Sequence, residues 1–198
     1  MSNRIFIVDV EATDDTPATG VMTEFGIVDF ETQAWFHGRL WRFHPDPEIP
    51  AKPIADVPAP GFRLSGKVTP DPVHAMKWDS CQTSDRPDAV AGEAFVMAAA
   101  SQFVKNLTDG GRATFVSDNN GYDFMWMAYY FDKHGHPNPF GHSSRRIGDL
   151  AAGLSGNWRK TSAWKKYRRT AHDHNPVNDA LGNAEAYRTI LTRHEQKF

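Results

Sequence analysis

Cysteine, net charge and long apolar runs are all scarce in this chain, and each shortage excludes something. One cysteine, Cys81, in 198 residues rules out an intrachain disulfide framework and any cysteine-rich zinc site. It fits a reducing compartment. The opening apolar run, Ile5-Phe6-Ile7-Val8, meets Asp9 at once, far short of a signal peptide or of the roughly 20 residues of a membrane helix. A cytoplasmic protein with no membrane partner is therefore expected. The net charge of −2 announces no global field for nucleic acid, so any basic surface must be local. What remains is an ordinary globular composition of a size that suits one domain over residues 1–198.

The opening stretch, Ile5-Phe6-Ile7-Val8-Asp9-Val10-Glu11, carries the strongest chemical signal. A short, mostly β-branched apolar run suits a strand buried on both faces. Side chains alternate along a strand, so Asp9 and Glu11 point the same way at its C-terminal end. Two carboxylates on one face of a buried strand raise each other's pKa unless a cation sits between them. Hard oxygen ligands of this kind suit Mg²⁺ or Mn²⁺. Read alone, Asp-x-Glu is better explained as a solvated strand end, so further ligands must come from elsewhere in the chain.

After a turn-rich loop through Asp14, Asp15, Pro17 and Gly20, residues 21–30 and 34–43 read as two more strands joined by the polar Glu31-Thr32-Gln33. The chain thus opens with a three-strand meander. Nine of the thirteen prolines fall in 44–88, which excludes long helix or strand there. Phe62, Leu64, Met76 and Trp78 make that stretch too apolar for a plain linker, so an irregular excursion packed on the domain is expected. Residues 89–107 form an amphipathic helix, with Val96, Ala99, Ala100, Phe103, Val104 and Leu107 on one stripe, stopped by Asp109-Gly110-Gly111. A short buried strand follows at 113–116, then a turn at 117–121 and a helix over 122–134. Residues 145–150 hold a short strand or a helix start. A last helix begins at Pro176 with Asn175 as its cap and runs to about 194. The order predicts an α/β fold, a mixed central sheet with helices packed on it.

Two further acids and a histidine join the opening pair. Asp179 lies near the first turn of the last helix, where the helix dipole favours an ionised carboxylate. His174 lies five residues earlier, outside the helix. A metal-binding carboxylate with a histidine nearby to take a proton from water is the equipment of metal-assisted hydrolysis. Asp123 opens a helix directly after a buried strand and is favoured over its rival Asp118, which sits in the turn.

Taken together, Val8-Asp9-Val10-Glu11-Ala12-Thr13, Asn119-Asn120-Gly121-Tyr122-Asp123 and His174-Asn175-Pro176-Val177-Asn178-Asp179-Ala180 resemble the DEDDh exonucleases. These are RNase T-like 3′–5′ exonucleases on a ribonuclease H-like fold. Ser117-Asp118-Asn119, Pro139-Phe140-Gly141-His142-Ser143, Arg145-Arg146-Ile147-Gly148-Asp149-Leu150 and His174-Asn175-Pro176-Val177 are similar to the exoribonuclease-like subgroup that includes phage exonuclease A. The motifs span residues 8 to about 186; the 44–88 stretch matches less clearly. The resemblance implies that Asp9, Glu11 and Asp179 hold one of two Mg²⁺ or Mn²⁺ ions, that Asp9 and Asp123 hold the second, and that His174 is the general base. It implies a substrate of single-stranded RNA or DNA 3′ ends, with backbone near Ala12 and Thr13 at the terminal ribose and Met22 or Phe25 on the last base. It also makes a homodimer plausible.

Two other readings stay open. His134-Gly135-His136 and His172-Asp173-His174 could pair as a zinc site, or the chain could be a non-catalytic nucleic-acid-binding module. Between Trp158 and Arg169, Arg159, Lys160, Lys165, Lys166, Arg168 and Arg169 alternate with Trp158, Trp164 and Tyr167 without an acid. That mixture suits phosphate contacts and base stacking, or equally a solvated face with its aromatics turned into the core. Trp126 and Tyr129 are expected to pack inside.

Overall fold

A computed structural model describes residues 3–40, 64–65 and 89–195. The strands are β1 (Asn3–Ala12), β2 (Met22–Asp29), β3 (Trp35–Arg39), β4 (Leu64–Ser65), β5 (Arg112–Ser117) and β6 (Ser144–Arg146). The helices are α1 (Ala89–Thr108), α2 (Asn120–Lys133), α3 (Ile147–Leu154) and α4 (Pro176–Glu195), with a 3₁₀ turn at Lys165–Tyr167 before α4. They build one mixed sheet in the order β4-β3-β2-β1-β5-β6. β1, β2, β3 and β4 pair antiparallel in succession, while β5 runs parallel to β1 and β6 parallel to β5. The chain is thus an α/β protein whose mixed sheet opens on a three-strand meander. No helix among the described residues is long and apolar enough to cross a membrane.

β1 lies inside the sheet, and its alternation sorts the molecule into two layers. Phe6, Val8 and Val10 face a core shared with Met97, Ala100 and Val104 of α1 and with Trp126, Met127 and Phe131 of α2. Ile7 faces the opposite core, built with Val116, Ile147, Trp164 and the Ala180, Ala184 and Tyr187 face of α4. By the same alternation Asp9 and Glu11 emerge on the α4 side of the sheet. The fold therefore aims both opening acids at the helix that carries Asp179.

The start of α4 is fixed by local chemistry and by a missing side chain. Asn175 Oδ1 accepts from the N–H groups of Val177, at 3.1 Å, and Asn178, at 3.3 Å, satisfying donors that a helix N-terminus leaves unpaired. Pro176 occupies the first position, where the absent N–H costs nothing. Gly26 of β2 lies directly across from Asp9. A Cβ there would come within 2.4 Å of the Pro176 carbonyl oxygen and 2.7 Å of the Val177 nitrogen. Glycine thus lets the first turn of α4 rest on the backbone of β2, beside Asp9.

Several boundaries differ from expectation. Asn120 and Gly121, read as turn, are the first residues of α2, because the Asn119 carbonyl already accepts from Tyr122 and Asp123 at 2.9 Å. Residues 145–150 supply both alternatives, the end of β6 and the start of α3. Tyr129, expected inside, is 45% exposed, whereas Trp126 is buried. The 44–88 excursion and residues 41–43 lie outside the described residues, apart from Leu64–Ser65, which form the edge strand β4.

Gly26→Ala tests the seating of α4. The added methyl meets the Pro176–Val177 backbone, so the variant should lose about 1–3 kcal/mol of stability, the usual cost of overpacking. It should also weaken Mn²⁺ binding, because Asp179 moves with the helix. Thermal unfolding and calorimetric Mn²⁺ titration measure the two effects. A variant unchanged in both would show that α4 does not depend on this close approach.

Candidate active site

At the C-terminal end of β1 the sheet presents Asp9 and Glu11 to the first turn of α4. One carboxylate oxygen from each of Asp9, Glu11 and Asp179 lies within 4.8 Å of the others. Asp179 is fully buried. Asp123 reaches the same strand end from α2, on the opposite layer, and its Oδ1 accepts from the Val10 N–H at 3.2 Å. Its Oδ2 is buried without a hydrogen-bond partner, as is Asp179 Oδ2. Asp118 is turned elsewhere: its Oδ2 lies 2.6 Å from Lys165 Nζ.

This crowding reshapes the titration of the acids. Burial, then the carboxylates of Asp123, Asp179 and Glu11, push the Asp9 carboxyl well above its ordinary value, with Arg168 opposing. Burial pushes Asp123 up to about 7, opposed by the Ser117 hydroxyl and then by the Val10 N–H. Burial also raises Glu11, while His174 opposes. Converging carboxylates whose burial and mutual repulsion favour the protonated form make a site short of positive charge. An all-oxygen donor set of this kind fits Mg²⁺ or Mn²⁺.

One cation is built into the chain. Arg168 Nη2 lies 2.7 Å from Asp179 Oδ1, with side chains 12% and 1% exposed. A Cβ at position 182 would approach Arg168 Nε to 2.7 Å, so Gly182 provides the slot in which the guanidinium lies against α4. One turn along, Glu185 Oε2 accepts from the backbone N–H groups of Arg169 and Thr170 at 2.7 and 2.9 Å. Asp179, Gly182 and Glu185 share one face of α4 by their three-residue spacing. That face clamps the incoming segment and aims Arg168 at Asp179.

The two histidines before α4 share a side for a local reason. Asp173 Oδ1 accepts from the Asn175 N–H at 3.1 Å, and its Oδ2 accepts from Asn178 Nδ2 at 2.8 Å. With Asp173 folded onto the helix start, His172 and His174 stand together, ring centroids 4.6 Å apart. His174 adopts φ 60°, a left-handed conformation that costs a non-glycine residue about 1–3 kcal/mol and persists where its surroundings impose it. His172 Nδ1 lies 2.7 Å from Asp179 Oδ2, and His174 Nδ1 lies 3.6 Å from Glu11 Oε1. His174 is three-quarters exposed, an open imidazole above the acids.

Other expected site residues fall less simply. Met22 and Phe25 are completely buried, because β2 is covered on both faces, so neither offers a surface to a base. Phe25 stacks on Phe36 instead, centroids 5.8 Å apart. The Thr13 N–H and hydroxyl are both tied to the Val21 backbone, at 2.9 and 3.0 Å, so that N–H is not free for a ribose. Ala12 packs against the core. Trp164 is core rather than a stacking platform, 1% exposed with Nε1 donating to the Thr161 carbonyl at 2.9 Å. Arg168, grouped with the strand-guiding cations, is turned into the acids. Lys165, Lys166 and Arg169 remain exposed. The four-histidine zinc site does not assemble: His134 Nε2 lies 3.1 Å from Glu93 Oε2, and His136 Nε2 lies 2.9 Å from the Ala94 carbonyl, both on α1. Arg168 and His172 stand in places other than those the sequence pattern suggested, both against Asp179. His172 was accessible from its parity with His174 across Asp173, whereas nothing local separates Arg168 from its basic neighbours.

The raised carboxyls set a pH dependence of known sign. Asp123 holds a proton in the folded, metal-free chain up to about 7, but only to 3.8 when unfolded. Its contribution to stability is therefore present at low pH and lost as pH rises through about 7. Wild type should lose stability relative to Asp123→Asn as pH rises from about 5 to about 7.5 in chelator-treated buffer. The comparison cancels His134, which burial holds low, and Asp29, held low by Arg4 and Thr32 despite its burial. Saturating Mn²⁺ should abolish the difference in slope. Parallel melting-temperature profiles without metal would contradict the raised Asp123 carboxyl.

No protein-family profile matches the sequence, and no curated protein matches it either. Among solved structures, the chain is similar to the zinc-bound form of an E. coli ExoI–ssDNA complex. That match has a TM-score of 0.48 and 11% identity, and covers 100% of this chain and 42% of that one. A product-bound exonuclease I structure gives 0.46 and 12%, covering 100% and 46%. E. coli exonuclease I with a dT13 oligonucleotide gives 0.41 and 13%, covering 99% and 41%. The chain spans less than half the length of these exonuclease I chains.

Proposed function

We propose that this protein is a metal-dependent 3′–5′ exonuclease of the DEDDh type, in the exoribonuclease-like subgroup, acting on single-stranded RNA or DNA. The observation that carries the reading is the convergence of Asp9, Glu11 and Asp179 oxygens within 4.8 Å, with a histidine standing over Glu11. Asp9, Glu11 and Asp179 would hold one Mg²⁺ or Mn²⁺, and Asp9 with Asp123 a second. When bound, such a pair stabilises both the attacking and the leaving oxygen of an in-line displacement at phosphorus.

The chain's own groups supply the rest. His174 takes the proton from the attacking water; imidazole is suited to this at neutral pH by its unperturbed pKa of about 6.5. Arg168 occupies Asp179 Oδ1, and His172 Nδ1 lies 2.7 Å from Oδ2. Without cations, the acid cluster repels a phosphodiester, so substrate engagement follows metal loading. Lys165, Lys166 and Arg169 are exposed cations able to meet backbone phosphates. Trp158, 77% exposed with Arg159 5.3 Å from its ring centroid, replaces Trp164 as the aromatic able to stack on a base.

The test uses 5′-labelled single-stranded oligomers with Mn²⁺. The expected products are strands shortened stepwise from the 3′ end and 5′-mononucleotides, with no product from a circular strand and none when a 3′-phosphate replaces the 3′-hydroxyl. Asp9→Ala should abolish release, and His174→Ala should slow it about 100-fold, the usual scale of a lost general base. Cleavage of a circle would indicate an endonuclease, and an active Asp9→Ala would place the chemistry elsewhere.

A further inference from the structure

We propose that His172, His174 and Asp179 form a second metal site, selective for Zn²⁺ and mutually exclusive with the carboxylate site. One ligand atom from each of the three residues lies within 4.8 Å of the others. His172 Nδ1 and Asp179 Oδ2 are 2.7 Å apart, with the oxygen buried. A ring nitrogen and a carboxylate oxygen held this close, with a second imidazole beside them, suit ligands of one ion. The imidazoles are 57% and 76% exposed, so small rotations can bring them to the zinc–nitrogen distance of roughly 2.0–2.1 Å.

The arrangement is built rather than incidental. Asp173 turns its carboxylate onto Asn175 and Asn178, which leaves both histidines on the side of Asp179, and Arg168 fixes the other oxygen of that acid. Two imidazoles and one carboxylate, with a fourth position open to water, match a zinc centre of three protein ligands. The all-oxygen set of Asp9, Glu11 and Asp179 suits Mg²⁺ or Mn²⁺, and nitrogen-containing sites bind Zn²⁺ more tightly than Mn²⁺. Each chemistry thus has its own ligand set, and the two sets share Asp179. Zinc in the histidine site removes Asp179 from the carboxylate site and occupies the imidazole that would accept the proton. On the exonuclease reading, on which only this consequence rests, Zn²⁺ is an inhibitor that competes with the activating ions.

The experiment titrates the metal-free full chain with ZnCl₂ and, separately, with MnCl₂ by calorimetry, in wild type and His172→Ala. His172 is 57% exposed, so the variant should fold. Zn²⁺ affinity should fall about tenfold or more with one ligand lost, while Mn²⁺ affinity stays the same. Co²⁺ in place of Zn²⁺ should give a visible absorption band in wild type that weakens in the variant. In the nuclease assay, Zn²⁺ should inhibit wild type, and the concentration needed should rise in His172→Ala by the same factor as the affinity falls. Equal Zn²⁺ affinity in the two proteins would overturn the proposal, since the ion would then be binding the carboxylates alone. The titrations separate these outcomes even if the chain releases no nucleotide.

Discussion

Four carboxylates at one strand end dominate the physics of this molecule. Asp9 and Glu11 are brought together by the alternation of β1, Asp179 by the first turn of α4, and Asp123 by α2 from the far side of the sheet. Coulomb repulsion at such spacing is large wherever water is excluded. The metal-free chain meets it in three ways. Asp9, Asp123 and Glu11 hold their protons more tightly than free carboxyls do, Arg168 pairs with Asp179, and the Val10 N–H donates to Asp123. His172 Nδ1 stands 2.7 Å from Asp179 Oδ2 in addition. The site is stable enough to fold and remains short of positive charge.

The surrounding structure serves that arrangement. Two cores, one on each face of the sheet, hold β1 rigid, so the acids at its end have little freedom to splay apart. Gly26 lets α4 rest against β2, and Gly182 lets Arg168 lie on α4; both are places where a missing side chain sets the distance between charged groups. The histidine loop adds a second chemistry at the rim, since Asp173 turns both imidazoles toward the acids. Hard and soft ligands thus meet at Asp179, and that carboxylate couples the two proposed sites.

The legible parts of the sequence were those governed by short-range rules. Strand parity alone places Asp9 and Glu11 on one face, and the Asn-Pro start of α4 places Asp179 in its first turn, because capping is local. The meander and the helix at 89–107 followed from apolar periodicity. Asp123 and Asp118 could be ranked only by the rigidity of their elements; their environments separate through burial and through Lys165, which is a tertiary matter. The segment before α4 has no periodicity, so the face of α4 that clamps it, not its own composition, decides that Trp164 goes inside and Arg168 goes to Asp179. Met22 and Phe25 misled for a related reason: β2 is covered on both faces, and neighbouring a site in sequence gave them no surface there.

Counting bound Mn²⁺ tests the central claim most directly, that these acids are a metal site for phosphodiester chemistry. The measurement is an electron paramagnetic resonance titration of free Mn²⁺ against the full chain, with and without a nucleoside 5′-monophosphate occupying the product position. The account predicts two ions per chain in the presence of the nucleotide and loss of both in Asp9→Ala, since Asp9 is shared between them. A stoichiometry below one, or two ions still bound when Asp9 is replaced, would contradict it.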